Sequence, residues 1–157
     1  MAMSYKTKES TDYKKQFIDY VKKEVEKQGW KFRAGDKHLY VDCIFYFPRI
    51  DMDTNNYFKL LLDSITESRV VWDDDNFVCE RVNRIFYDSK NPRIELVIYD
   101  VPYIGIFDTE AEKDQFIKKC SNCKRYARNC SILKNALNGK IQSDIENKIC
   151  LKYKEME

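Results

Sequence analysis

Residues 37–47 read Lys-His-Leu-Tyr-Val-Asp-Cys-Ile-Phe-Tyr-Phe, and the fold turns on how this stretch is read. In an extended chain Leu39, Val41, Cys43, Phe45 and Phe47 share one face, while Tyr40, Ile44 and Tyr46 share the other. Alternation with period two is a strand signal, and apolar residues on both faces describe a strand covered on both sides for part of its length. Pro48 ends it, because proline cannot continue a hydrogen-bonded ladder. Upstream, Ser10 or Thr11 can cap a helix running to about Gln28, with Gly29 placed to stop it. Tyr13, Phe17, Val21 and Val25, spaced by four with Ile18 alongside, give that helix a core-facing stripe. Downstream, residues 56–65 read as a second helix with Phe58, Leu61, Leu62 and Ile65 inward. Residues 78–87 and 93–101 read as two more strands, joined by Asp88-Ser89-Lys90-Asn91-Pro92. The order predicts an α+β fold, a small mixed sheet with packed helices, followed by a helical cysteine-rich tail. The expected division is a core over residues 1–110 and an extension over 111–157.

A chain of 157 residues can bury a real core. It has no run of about 18 apolar residues, and its opening Met-Ala-Met-Ser-Tyr-Lys lacks a signal peptide's apolar stretch. A cytoplasmic protein with no membrane partner is therefore expected, and six cysteines in that setting read as reduced thiols or metal ligands. Charge is unevenly spread. Residues 1–50 hold 11 basic and 7 acidic side chains, residues 51–112 hold 6 and 14, and residues 113–154 hold 11 and 3. An acidic middle between basic ends suits a metal site set in a phosphate-binding surface. The plain alternative is that the lysine-rich helices are solvated faces.

The acidic middle has internal order. Residues 53–63, Asp-Thr-Asn-Asn-Tyr-Phe-Lys-Leu-Leu-Leu-Asp, open a helix with acidic and amide side chains and place Lys59 one or two turns later. Asp73, Asp74 and Asp75 follow, and are expected to reach the same spot. Crowded carboxylates raise one another's proton affinity. A divalent cation removes that cost, and Mg²⁺ is commonly held by one or two carboxylates plus water and a phosphate. The combination points to phosphodiester chemistry. Asp53 also has a simpler reading as a helix N-cap, and the aspartate run as an exposed turn.

The order Asp-x-(Asp/Asn)-Asn-x-x-Lys-x-x-x-Asp, then Trp72 and Asp74-Asp75-x-x-Val78, then Pro92-Arg93-Ile94-Glu95, resembles the RusA-type Holliday junction resolvases of bacteria and their prophages. The resemblance runs from about Thr7 to about Ile98. It implies a small homodimeric, Mg²⁺-dependent endonuclease that nicks branched double-stranded DNA symmetrically in recombination and repair. Carried over by motif, Asp53 is the first aspartate, Asn55 takes the second position, and Asn56 and Lys59 follow. Asp63 is the later helix aspartate, and Asp75 the later catalytic one. The resemblance then implies Mg²⁺ on Asp53 and Asp75, with Asp74 and Asn55 as neighbouring donors, and Lys59 on the phosphoryl oxygens.

Two departures matter. Asn55 stands where the family usually has a carboxylate, and an amide is the weaker Mg²⁺ ligand. Asp51 can supply the charge through Asp51-Met52-Asp53, or an aspartate has been exchanged to disable the enzyme, or Asn55 serves as a neutral ligand. The family's opening strand also has little room before the first helix, and the strand after Val78 lacks a clear family lysine, leaving Arg81 or Arg84 to provide positive charge.

The tail carries Cys120-x₂-Cys123-x₆-Cys130-x₁₉-Cys150. Thiolates at such spacing can share one tetrahedral Zn²⁺, which would close a tail too small for its own core. Packing of reduced cysteines, a redox pair at Cys120/Cys123 and an iron–sulfur cluster fit the same spacing. Lys124, Arg125, Tyr126 and Arg128 surround the motif and suit DNA backbone contacts. Cys43 and Cys79 fall in expected strands and read as core residues. His38 is the only histidine, which argues against a histidine-based nuclease, and four glycines form no phosphate loop. Trp30 and Trp72 read as core or interface anchors. Two other functions stay open: a branched-DNA-binding protein that has lost cleavage through Asn55, and a zinc-bearing interaction module.

Overall fold

The computed structural model describes residues 8–35, 37–126 and 128–156 of the chain. The chain divides into two compact units, residues 1–100 and 101–157.

Unit 1 begins with helix α1, Lys8–Gln28. It starts before Ser10, so the expected cap residues lie within its first turns. Gly29, at φ +65°, ends it, and the Trp30 N–H turns back to the Val25 carbonyl at 3.1 Å. Strand β1, Leu39–Phe47, alternates buried and half-buried residues at every position. Helix α2, Thr54–Ser68, follows, two residues longer at its start and three longer at its end than its apolar spacing predicts. Ser64 and Ser68, both buried, satisfy their hydroxyls by donating to the Leu60 and Ile65 carbonyls at 2.5 Å. Strands β2, Val78–Tyr87, and β3, Arg93–Asp100, complete the element order.

The sheet order is β2-β1-β3, with β2 parallel and β3 antiparallel to β1. The strand–helix–strand run from β1 through α2 to β2 is therefore a parallel crossover unit. Residues 88–92 do not close a hairpin; they carry the chain past the end of β1, where the Asp88 N–H donates to the Phe47 carbonyl at 2.8 Å. The core packs Leu39, Val41, Cys43, Phe45 and Phe47 against Phe58, Leu61, Leu62 and Ile65 of α2, with Val21 of α1 and Trp72. Trp72 is fully buried and donates its indole N–H to Thr66 Oγ1 at 2.7 Å. Along β2 most residues are exposed, Val82, Ile85 and Tyr87 among them. Burial pushes the Cys43 thiol up to about 12, whereas Cys79 is only partly buried. The family's opening strand would fall on residues 1–7, outside the described residues.

Unit 2 holds helices α3, Glu110–Ser121, and α4, Ile132–Leu137, and a short hairpin of β4, Ile145–Glu146, and β5, Ile149–Cys150. The hairpin was not expected in a helical tail. Asn147 and Lys148 make its turn with φ of 48° and 59°, the left-handed geometry that two-residue hairpins require. Phe107, Phe116, Ile132 and Ala136 form a core of its own. Gly105 is required there: a Cβ at this position would lie 2.1 Å from the Ala136 carbonyl oxygen.

Candidate active site

Helix α2 presents the first half of the acidic motif. Asp53 is its N-cap, and Oδ1 accepts the Asn55 backbone N–H at 2.9 Å. The cap leaves Asp53 exposed, with Asn55, Asn56 and Lys59 also exposed along the next turns. Asn55, Lys59 and the half-buried Asp63 are spaced by four and so share one helix face. No acidic residue occupies the first turn of α2, so its positive end is uncompensated beyond the Asp53 cap. Asp51 pairs with Arg49 at 3.2 Å, both well exposed. Arg49 was not singled out by the motif; its position two residues before Asp51 was the available signal.

The second half lies elsewhere. Asp74 Oδ1 accepts the Asn76 N–H at 2.9 Å, and the Asp75 carbonyl accepts the Val78 N–H at 3.0 Å, which starts β2. The Asp73 N–H donates to the Arg33 carbonyl at 3.2 Å. Val78 stands opposite Leu39, so the aspartate run sits at the beginning of β1, whereas Asp51 and Asp53 follow its end. The nine residues of β1 separate those ends by about 26 Å at the usual strand rise. The two carboxylate groups thus do not reach one spot within a chain. The physical reason is α2 itself, whose 15 residues return the chain antiparallel to β1 before the aspartate run begins. Among the described residues, no group of three or more His, Cys, Asp or Glu side chains is placed to hold a metal ion.

Of the expected DNA-contacting arginines in unit 1, Arg81 is engaged within the sheet. Its Nε and Nη2 donate to the two oxygens of Asp42 at 2.6 and 2.9 Å, and its guanidinium lies 3.6 Å from the Tyr40 ring centroid. The Tyr99 hydroxyl donates to Asp42 Oδ2 at 2.7 Å. Arg81 foremost, with Tyr99, holds the Asp42 carboxyl down at about 2. Arg84 is exposed, 4.5 Å from the Phe86 ring centroid. Between α1 and β3 a groove of about 550 Å³ is walled by Phe17, Val21, Ile94, Leu96 and Ile98. Its carboxylates, Glu24 and Glu95, belong to neither half of the motif.

In unit 2 the four tail cysteines converge. Cys120 lies in the last turn of α3, Cys123 in the turn after it, Cys130 precedes α4, and Cys150 is in β5. All four line a single cavity. Burial, then the neighbouring Cys150, Cys130 and Cys123, pushes the Cys120 thiol up to about 11. Cys123 shifts down, chiefly because the Lys154 backbone N–H donates to its sulfur, at 3.4 Å. Lys124 and Arg125 are half-buried beside Cys123, and Arg128 is exposed.

A family model described as endodeoxyribonuclease RusA matches residues 2–99. No curated protein and no solved structure matches the chain.

Proposed function

The chain belongs to the RusA endodeoxyribonuclease family, and from that premise we propose that it nicks four-way DNA junctions as a homodimer whose two active centres are each shared between protomers. The family is one of Holliday-junction-resolving endonucleases, typically dependent on a divalent metal. No described helix is long and apolar enough to cross a membrane.

The observation that carries the shared centre is the separation of Asp53 from Asp75 along β1. The donors of one chain do not fit a single ion. A two-fold dimer would answer this: with the start of α2 in one protomer placed against residues 73–75 of the partner, the self-complementary interface repeats the same contact at the other end. Two equivalent centres result, as symmetric nicking of a two-fold junction needs. The exposed apolar residues Val82, Ile85 and Tyr87 on β2 favour a further protein surface there.

Asp53, supported by Asp51 and Asn55, would hold the cation together with Asp74 and Asp75 from the other chain. Mg²⁺ supplies Lewis-acid polarisation of the phosphate and a water of lowered pKa when bound. The uncompensated N-terminus of α2 favours a phosphate at the same place. Lys59, on the helix face that begins at Asn55, offsets charge on the phosphoryl oxygens. Arg84 contacts the DNA backbone, while Arg81, held by Asp42, shapes the sheet face. In unit 2, Lys124, Arg125 and Arg128 add sequence-independent phosphate contacts.

A second reading rests on Asn55: an amide in a carboxylate position describes a junction-binding protein that no longer cuts. Nicking and binding of a synthetic four-way junction, with Mg²⁺ and with chelator, separate the two. Mg²⁺-dependent nicking by both the chain and Asn55→Asp supports the enzyme as written. Nicking by Asn55→Asp alone identifies the binding protein, and binding without cleavage by either refutes the nuclease.

A further inference from the structure

The cavity ringed by Cys120, Cys123, Cys130 and Cys150 measures about 210 Å³, and Phe116, Ile132 and Leu133 supply apolar wall. One water molecule needs only about 10–15 Å³ of such space, so the cavity has room for a group of several atoms. Four thiols lining one such space supply the donor set of a soft-metal centre.

Four thiolates can make two kinds of centre. A single Zn²⁺ bonds each sulfur at about 2.3 Å and draws the four into one tight tetrahedron. Here all four thiols line one cavity, and no three of them are grouped to hold one ion. A cubane of four irons and four sulfides sits between the same four thiolates but fills the volume separating them. We infer that unit 2 binds a [4Fe–4S] cluster through Cys120, Cys123, Cys130 and Cys150. The surroundings fit its chemistry. Lys119, Arg125 and Lys152 stand in the cavity wall, where they offset the negative charge of a four-thiolate cluster. The Lys154 N–H donates to Cys123 Sγ, and hydrogen bonds to ligating sulfur stabilise the thiolate and tune such clusters. The cysteines come from four successive segments, so the cluster ties α3, the turn after it, the lead into α4, and β5. Its role is to hold the unit together, and it stands whether or not the chain cuts DNA.

The test is anaerobic reconstitution of the full chain with ferrous iron and sulfide, then metal analysis and absorption spectroscopy. The expected product is brown, carries about four irons and four labile sulfides per chain, and bleaches on reduction. Cys79→Ser, outside the cavity, should keep that stoichiometry, and Cys120→Ser and Cys150→Ser should lose it. A colourless protein that retains one zinc per chain and takes up no iron overturns the inference. So does a chain that binds neither metal. The wild-type stoichiometry decides the matter even if a cysteine variant fails to fold.

Discussion

If each active centre takes Asp53 from one protomer and Asp75 from the other, two dead proteins should make a live one. Asp53→Asn and Asp75→Asn alone should each lower junction nicking by on the order of 100-fold or more, the scale for losing a group that stabilises transition-state charge. The separation along β1 is about 26 Å, against a Mg²⁺–oxygen bond of about 2 Å, so no side-chain rotation restores a centre within one chain. Mixing the variants at equal amounts through a denature–refold cycle gives dimers of which about half are mixed. In a mixed dimer one centre has lost both aspartates and the other retains both. About a quarter of the wild-type centres should therefore return, since each mixed dimer restores one of two. A cruciform plasmid adds a second readout, because paired nicks linearise it and a lone working centre leaves a nicked circle. The mixture should yield nicked circles, and wild type linear product. Mixed dimers confirmed by native mass spectrometry that nick no better than either parent would refute the shared centre.

Three further outcomes follow from the packing. Trp72→Ala removes a fully buried ring and leaves Thr66 without its indole donor; urea unfolding should show a loss of about 3–5 kcal/mol. Asp42 has its carboxyl lowered to about 2 by Arg81, below its ordinary 3.8. Its contribution is present above the ordinary value and is lost as pH falls towards 2, so the urea-midpoint gap between wild type and Asp42→Asn should narrow from pH 5 to pH 3. A gap that stays constant would place the stabilisation outside the Asp42–Arg81 pair. Gly105→Ala sets a methyl against the Ala136 carbonyl at a φ of +58°; it should cost unit 2 more than about 1 kcal/mol, seen as loss of amide protection near Ile106.

Local pattern carried much of this fold. The alternation from Leu39 to Phe47 specifies a strand by itself, and Phe58, Leu61, Leu62 and Ile65 specify the inward face of α2. Pairing order is another matter. Nothing in residues 78–87 or 93–100 says that β1 lies between them, because ladder partners are chosen by sheet assembly and not by side-chain period. The same gap governs the acidic motif. Asp53 and Asp75 are near in sequence and share a chemistry, but a helix antiparallel to β1 must deliver the later aspartates to the strand's far end. The cysteine spacing predicts that four thiols gather, but not the size of the cavity they line, which depends on how α3, α4 and β5 stand around it.

Strand β1 has a consequence for the DNA as well. In a two-fold dimer that pairs Asp53 with the opposite Asp75, the distance between the two centres equals the distance between those residues in one chain. The nine residues of β1 then act as a gauge. They would set two cuts on the order of 26 Å apart, the length of the strand and close to eight base-pair steps of duplex rise. Because β1 is hydrogen-bonded on both edges and buried on one face, such a gauge would be stiff, and a bound junction would have to adapt to it. Discrimination of a branched substrate from a plain duplex would then come from whether two phosphates can be presented at this fixed span, with no base needing to be read.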